Sequence, residues 1–347
     1  MARFYEFSLP TITKINFHRP ARILCTAMLL FAMQLPFSGE TYAEPENPKL
    51  SNDRCLRCHG REDYSREAAN GEQRLLHVNA ERFEHSVHGD RDCVDCHKDI
   101  VKVPHRKGED RKVGCVKCHM DLWEEAQLAE DKGKDSRLGN VVEQIESYMT
   151  SIHARPSIDD QSRTNATCYD CHDAHYVTTI DHQANPESKL KIPLICGNCH
   201  ADVLETYMTS VHGKEIGSGN TDAAVCSDCH STHNIDTPND TSGRLAITEQ
   251  CGNCHTESLE SYVETYHGKI TRLGYGETAK CYDCHGFHDI KRVDEPDSKV
   301  HNGNRLETCR SCHEDATEGY VTFQPHGTTD NFAEYPEMWL ASKGMIG

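Results

Sequence analysis

Cysteine and histidine carry most of the chemistry this chain could do, and their spacing is regular. Of the 19 Cys, 18 fall into nine copies of C-x-x-C-H. The copies are Cys55/Cys58/His59, Cys93/Cys96/His97, Cys115/Cys118/His119, Cys168/Cys171/His172 and Cys196/Cys199/His200. They continue as Cys226/Cys229/His230, Cys251/Cys254/His255, Cys281/Cys284/His285 and Cys309/Cys312/His313. Below they are motifs 1 to 9. The leftover Cys25 lies at the start of an apolar N-terminal run.

Paired C-x-x-C can hold zinc, and many cysteines in an exported chain can form disulfides. Neither chemistry asks for a His directly after every second Cys. Covalent attachment of haem c does: two thioethers fix the porphyrin edge, and the adjacent His becomes the proximal ligand of the iron. The expected cofactor is therefore haem c, nine per chain, with His59, His97, His119, His172, His200, His230, His255, His285 and His313 as proximal ligands.

The other axial face of each iron decides between electron transfer, if closed by a second His, and chemistry, if open. Thirteen His lie outside the motifs and the N-terminal run, that is 23 less nine less His18. Five end similar phrases: FEHSVHG at His88, YMTSIHA at His153, YMTSVHG at His212, YVETYHG at His267 and YVTFQPHG at His326. From the opening Cys the distance is 16, 16 and 17 residues for His212, His267 and His326, but 33 and 38 for His88 and His153. Insertions are thus expected within 61–80 and 120–142. A second class, His175, His233 and His288, follows a motif His by three residues, and His105 stands eight after His97. These nine, His88, His105, His153, His175, His212, His233, His267, His288 and His326, are the candidate distal ligands. Two imidazoles trans on one iron hold their Cα atoms about 12 Å apart, whereas three residues span at most about 10–11 Å. His175, His233 and His288 must therefore serve an iron other than the one immediately before them. His77, His85, His182 and His301 remain; His85 is the alternative to His88, and His182 or His301 to His175 or His326. Met149 and Met208 read as haem-packing side chains.

Short helices must position these ligands. Leu204, Tyr207, Met208 and Val211 recur at i, i+3, i+4 and i+7, which predicts a helix over 202–212 stopped by Gly213. Strand signals are weak. The chain reads as dihaem modules over 51–108, 109–182, 190–240 and 246–296, a monohaem half-module over 303–330 and a C-terminal tail over 331–347. Linkers at 185–188 and 237–240 carry turn residues. The expected fold class is haem-stabilised: mainly short α-helices and irregular chain in tandem two-haem modules, with little β. With 36% apolar and 7% aromatic residues, side chains alone make a poor core. The porphyrin faces must supply it, so the apoprotein should not fold.

Residues 1–43 read as a signal peptide: Lys14, Arg19 and Arg22, an apolar run from Ile23 to Phe37, and a cleavage site at Thr41-Tyr42-Ala43. The run is too short for a membrane span, which needs about 20 residues. After cleavage 33 basic and 53 acidic side chains remain, a net of −20, which excludes nucleic acid and anionic membrane as partners. The expected location is periplasmic or extracellular, with no membrane span in the mature chain.

The pattern Y-x-x-S-V-H-G followed by C-x-D-C-H-x-x-H resembles that of multihaem c-type cytochromes with doubled CxxCH motifs, the cytochrome c3-like class. It is also similar to the surface cytochromes of metal-respiring bacteria and to the decahaem electron-conduit family. The resemblance implies bis-His haems arranged as a wire. Its partners would be a membrane quinol-oxidising cytochrome upstream and a terminal reductase or outer-membrane conduit downstream. Two departures are plain: nine motifs instead of ten, and no C-x-x-C-K of the kind that binds the catalytic haem of pentahaem nitrite reductases. The main expectation is an electron-transfer protein with no catalytic residues. The alternatives are a reductase of nitrite, hydroxylamine or a sulfur oxyanion with one open iron, and a subunit of a haem filament.

Overall fold

A computed structural model describes residues 50–67, 71, 73–105, 113–129, 133, 136–178, 186–237 and 240–346. The signal segment 1–43, Cys25 and His182 lie outside the described residues, as do parts of both linkers. Residues 50–347 form one unit. It is mainly helical, and most helices are short. Among the described residues the one sheet is an antiparallel pair, Ser65–Glu67 with Gln73–Leu75, in the register Ser65↔Leu75. Among the described residues no helix is long and apolar enough to cross a membrane.

The two insertions serve different ends. The first forms that hairpin, whose return leg brings the Leu76 carbonyl to the ring of His59. The second extends the motif-3 helix to Cys115–Leu128 and adds Arg137–Thr150, which leads to His153.

The helix predicted over 202–212 is two helices. Ala201–Met208 ends at Thr209, and Val211–Gly217 begins after Ser210, whose hydroxyl accepts from Gly213 N–H at 2.9 Å. Ser210 is an N-cap, a strong helix-start signal, and it overrides the apolar periodicity. Gly213 is therefore not a stop but lies inside the second helix. A Cβ there would sit 2.1 Å from the Tyr207 carbonyl oxygen, so the close crossing of the two helices requires glycine. The same break recurs around Thr265, which caps Tyr266–Arg272, with Gly268 against the Tyr262 carbonyl.

A tyrosine in each of three phrases ties its helix to the segment before the next motif. Tyr148 donates to Ala166 O at 2.7 Å, Tyr207 to Ala224 O at 2.8 Å and Tyr262 to Ala279 O at 2.9 Å. Among the described residues Tyr207 and Tyr262 are two of the few buried large side chains, and the one cluster of buried hydrophobics comprises Tyr207, Ile216 and Val225. So little apolar burial is far below what a chain of this length ordinarily assembles.

Candidate functional site

Each motif folds as a single helical turn. In motifs 2, 4, 5, 7 and 9 the N–H of the motif His donates to the carbonyl of the first Cys at 2.8–3.0 Å. One turn brings residues i, i+3 and i+4 to the same side, so both Cys and the His face one way. In the even-numbered motifs the third residue is Asp, a signal present in the sequence but given no role above. Asp95, Asp170, Asp228 and Asp283 accept the N–H of Asp92, Thr167, Val225 and Lys280 at 3.1, 2.6, 2.8 and 2.8 Å. Each carboxylate closes the first turn from its open end, as an N3 acid does in a capping box.

The histidines meet in pairs, each joining one motif His to one His from outside the motifs. His59 faces His105 at 6.1 Å between ring centres, His97 faces His175 at 6.3 Å, and His119 faces His88 at 6.0 Å. His172 faces His233 at 6.0 Å, His200 faces His153 at 6.3 Å, and His230 faces His288 at 6.0 Å. His255 faces His212 at 6.2 Å, His285 faces His326 at 6.1 Å, and His313 faces His267 at 6.1 Å. All nine motif histidines and all nine candidate partners are used once. His85 instead bonds the Glu81 carbonyl, and His301 accepts from Gly303 N–H. Met149 is 62% and Met208 40% exposed.

The pairing follows a rule. A His ending a phrase reaches forward two motifs: His88 from the first phrase to motif 3, His153 to motif 5, His212 to motif 7 and His267 to motif 9. A His three residues after an even motif reaches back two: His175 to motif 2, His233 to motif 4 and His288 to motif 6. Main-chain bonds hold these two classes side by side. Val87, Ile152 and Val211, each just before a phrase His, donate to Val177, Ile235 and Ile290 at 2.8 Å. Only the two ends differ: His105 turns back one motif to His59, and His326 one motif to His285. Their odd spacings in the sequence belong to these end positions. The C-terminal helix Pro336–Ile346 backs the second one, since a Cβ at Gly327 would come 2.6 Å from Met338 Sδ.

The donor set suits a six-coordinate ion with two axial imidazoles. Metal–nitrogen bonds of about 2.0–2.1 Å, with about 1.1 Å from each nitrogen to its ring centre, put trans imidazole centres about 6.2 Å apart. Among the described residues no three His, Cys, Asp or Glu converge as a protein-only cage. Two Cys and a pair of His at each site are a donor set that would fit a haem c held through both thiols and both imidazoles. Several ring nitrogens are fixed from behind: His59 Nδ1 pairs with Leu76 O at 2.8 Å, His233 Nδ1 with Gln144 Oε1 at 2.7 Å, and His326 Nδ1 with Ser261 Oγ at 3.2 Å. With Nδ1 engaged, Nε2 is the nitrogen left to ligate. Burial is the main cause lowering the pKa of His97, His119, His172, His230 and His285, and of His88, His153, His175, His212, His233, His267 and His288. A neutral imidazole is the ligating form.

The motifs follow one another in space in chain order. The first cysteines of motifs 1 and 2, 3 and 4, 5 and 6, and 7 and 8 lie beside one another in pairs: Cys55 by Cys93, Cys115 by Cys168, Cys196 by Cys226, and Cys251 by Cys281. The second cysteine of each even motif lies beside the cysteines of the next one: Cys96 by Cys118, Cys171 by Cys199, Cys229 by Cys254, and Cys284 by Cys312.

Cys58 stands at the start of the array. As the second cysteine of the first motif it has no even motif before it to lie against. It is exposed, as are Cys96, Cys118, Cys171, Cys199, Cys254 and Cys312, and its carbonyl accepts Arg61 N–H at 3.2 Å. The spacing alone makes Cys58 equivalent to Cys118, Cys199, Cys254 and Cys312; its place at the start of the array sets it apart. All 18 motif cysteines, Cys58 and Cys309 included, are free thiols, so none is spent on a disulfide. No protein-family model, curated protein or solved structure matches this chain.

Proposed function

We propose that this chain is an exported nonahaem c-type cytochrome that carries electrons between respiratory redox partners. The observation that carries the reading is the one-to-one pairing of nine motif histidines with nine others at 6.0–6.3 Å. On this reading each Cys pair attaches one haem c, and each His pair fills both axial faces of its iron. Bound haem supplies one-electron exchange between iron(III) and iron(II).

The chain's own residues do the rest. Paired imidazoles leave no axial position for a substrate or water. Nitrogens braced by Leu76, Gln144 and Ser261 hold the same ligands before and after an electron passes. Successive motifs in contact give a path from motif 1 to motif 9 in nearest-neighbour steps. The 1–43 segment would direct export and be removed, and the partners would be a quinol-oxidising cytochrome and a terminal reductase or outer-membrane conduit.

The test is a haem count per chain together with the EPR spectrum of the oxidised protein. Nine haems, all low-spin, are expected. A high-spin signal near one per chain would reveal an open iron and turn the reading toward a reductase.

A further inference from the structure

The chain as a whole is strongly acidic, with a net charge of −18, but the acid is not spread evenly. Residues 51–120, which hold motifs 1 to 3, carry 14 Lys and Arg against 13 Asp and Glu, a net of +1. Residues 121–347 carry 18 against 38, a net of −20. The cations near the start sit at the ligands themselves. Arg54 and Arg57 are exposed one turn apart on the helix Asn52–His59, and Arg57 lies between the two cysteines of motif 1. Lys98 directly follows His97, and Lys102 stands three residues before His105; both are exposed. His97 lies beside the His59–His105 pair, so the four cations flank two neighbouring sites. Among the described residues none of the four has a carboxylate partner. At the other end Glu307, Glu314, Asp315 and Glu318 are exposed around motif 9 and outnumber Arg310, which is exposed between its cysteines.

Motifs 1 and 9 end the array, each with one neighbouring motif. At physiological salt, charges more than about 8 Å away are largely screened. A docking protein therefore responds to the local charge at the end it approaches and hardly to the total. Resting on the electron-carrier reading, we propose that Arg54, Arg57, Lys98 and Lys102 form the docking face for an electron-transfer protein with an acidic contact surface. The motif-9 end repels the same partner. In the exchange one electron leaves the partner's reduced centre and converts iron(III) at motif 1 to iron(II); no proton or atom moves with it.

A plant-type ferredoxin, an acidic one-electron protein, is a suitable probe. Its reduced form is mixed by stopped flow with the oxidised holoprotein at about 10 mM and about 500 mM salt. Arg54→Glu with Arg57→Glu is expected to slow the reaction about tenfold or more at low salt, and the difference should collapse at high salt. Glu314→Lys, Asp315→Lys and Glu318→Lys together should leave the ferredoxin rate within about twofold. Reduction by the small cationic methyl viologen radical, and the haem count, should be unchanged in the arginine variant, which shows that it is intact. Equal slowing by both sets of substitutions, or none by the arginine set, overturns the proposal. So does salt-sensitive self-association lost in the arginine variant, which would assign this face to a second copy of the chain. A wild type that lacks nine haems or accepts no electrons from the viologen radical would sink the underlying reading instead.

Discussion

His326 faces His285 across 6.1 Å, although the motif nearest to it in sequence is His313. His313 is already paired with His267, which reaches it from the phrase before. The last histidine of the array thus turns back to close motif 8, and His105 closes motif 1 in the same sense at the other end. Between the ends every pairing spans two motifs, so neighbouring modules are stitched to one another and none is complete alone.

If the motifs carry haem as proposed, replacement of His326 by Ala should therefore open the iron of motif 8 and leave that of motif 9 closed. The variant is expected to gain a high-spin EPR signal of about one haem. That signal should vanish when Cys281 and Cys284 are also replaced by Ala, and persist when Cys309 and Cys312 are replaced. The opposite pattern would show that His326 serves its own motif.

Gly213→Ala places a methyl carbon 2.1 Å from the Tyr207 carbonyl oxygen, and backbone cannot swing aside as a side chain can. A loss of about 2–3 kcal/mol is expected in denaturant unfolding of the holoprotein. Gly114→Ala is the control. Nothing lies within 4 Å of its Cβ position and its φ is −76°, so the change should stay within about 0.5 kcal/mol.

Asp228→Ala removes the acceptor for Val225 N–H at 2.8 Å and the ion pair with Lys189 at 2.9 Å. A destabilisation of about 1–2 kcal/mol follows from losing such a cap. Because that turn presents Cys226, Cys229 and His230 together, intact-mass analysis should find a fraction of chains short of one haem. A full complement of nine in every chain would show that the turn forms without Asp228.

Tyr262→Phe leaves Ala279 O and Thr271 Oγ1 without a buried hydroxyl that now bonds both, at 2.9 and 2.8 Å. The expected cost is about 1–3 kcal/mol, read as a lower unfolding midpoint. Tyr148→Phe breaks a single bond, to Ala166 O, and should cost less.

Protein made without haem attachment should lack stable helix by far-UV circular dichroism. Few side chains other than Tyr207, Ile216, Val225, Tyr262 and Tyr282 are both large and buried, too little to offset chain entropy over this length. A cooperative thermal transition in the apoprotein would contradict this.

The inventory of paired histidines was legible in the sequence because the motif is local. Two Cys and a His within five residues make one helical turn wherever the chain places it, and the second His of each pair could be found by counting. The Ser and Thr before the phrase histidines were legible too, as N-caps, yet the apolar period over 202–212 drew one helix where Ser210 starts a second. The same is true of the Asp in C-x-D-C-H, whose acceptor role needs only the main chain three residues back. Chain reach could exclude His175, His233 and His288 from their own motifs, but it could not choose among the others. Nor could spacing tell Cys58, at the start of the array, from the second cysteines that lie against a preceding motif. Those choices lie in the tertiary structure. They depend on main-chain bonds between residues far apart in sequence, such as Val211 with Ile290, and on a C-terminal helix whose Met338 packs against Gly327, next to His326. Spacing along a chain sets an upper bound on separation in space, and only packing fixes the separation itself.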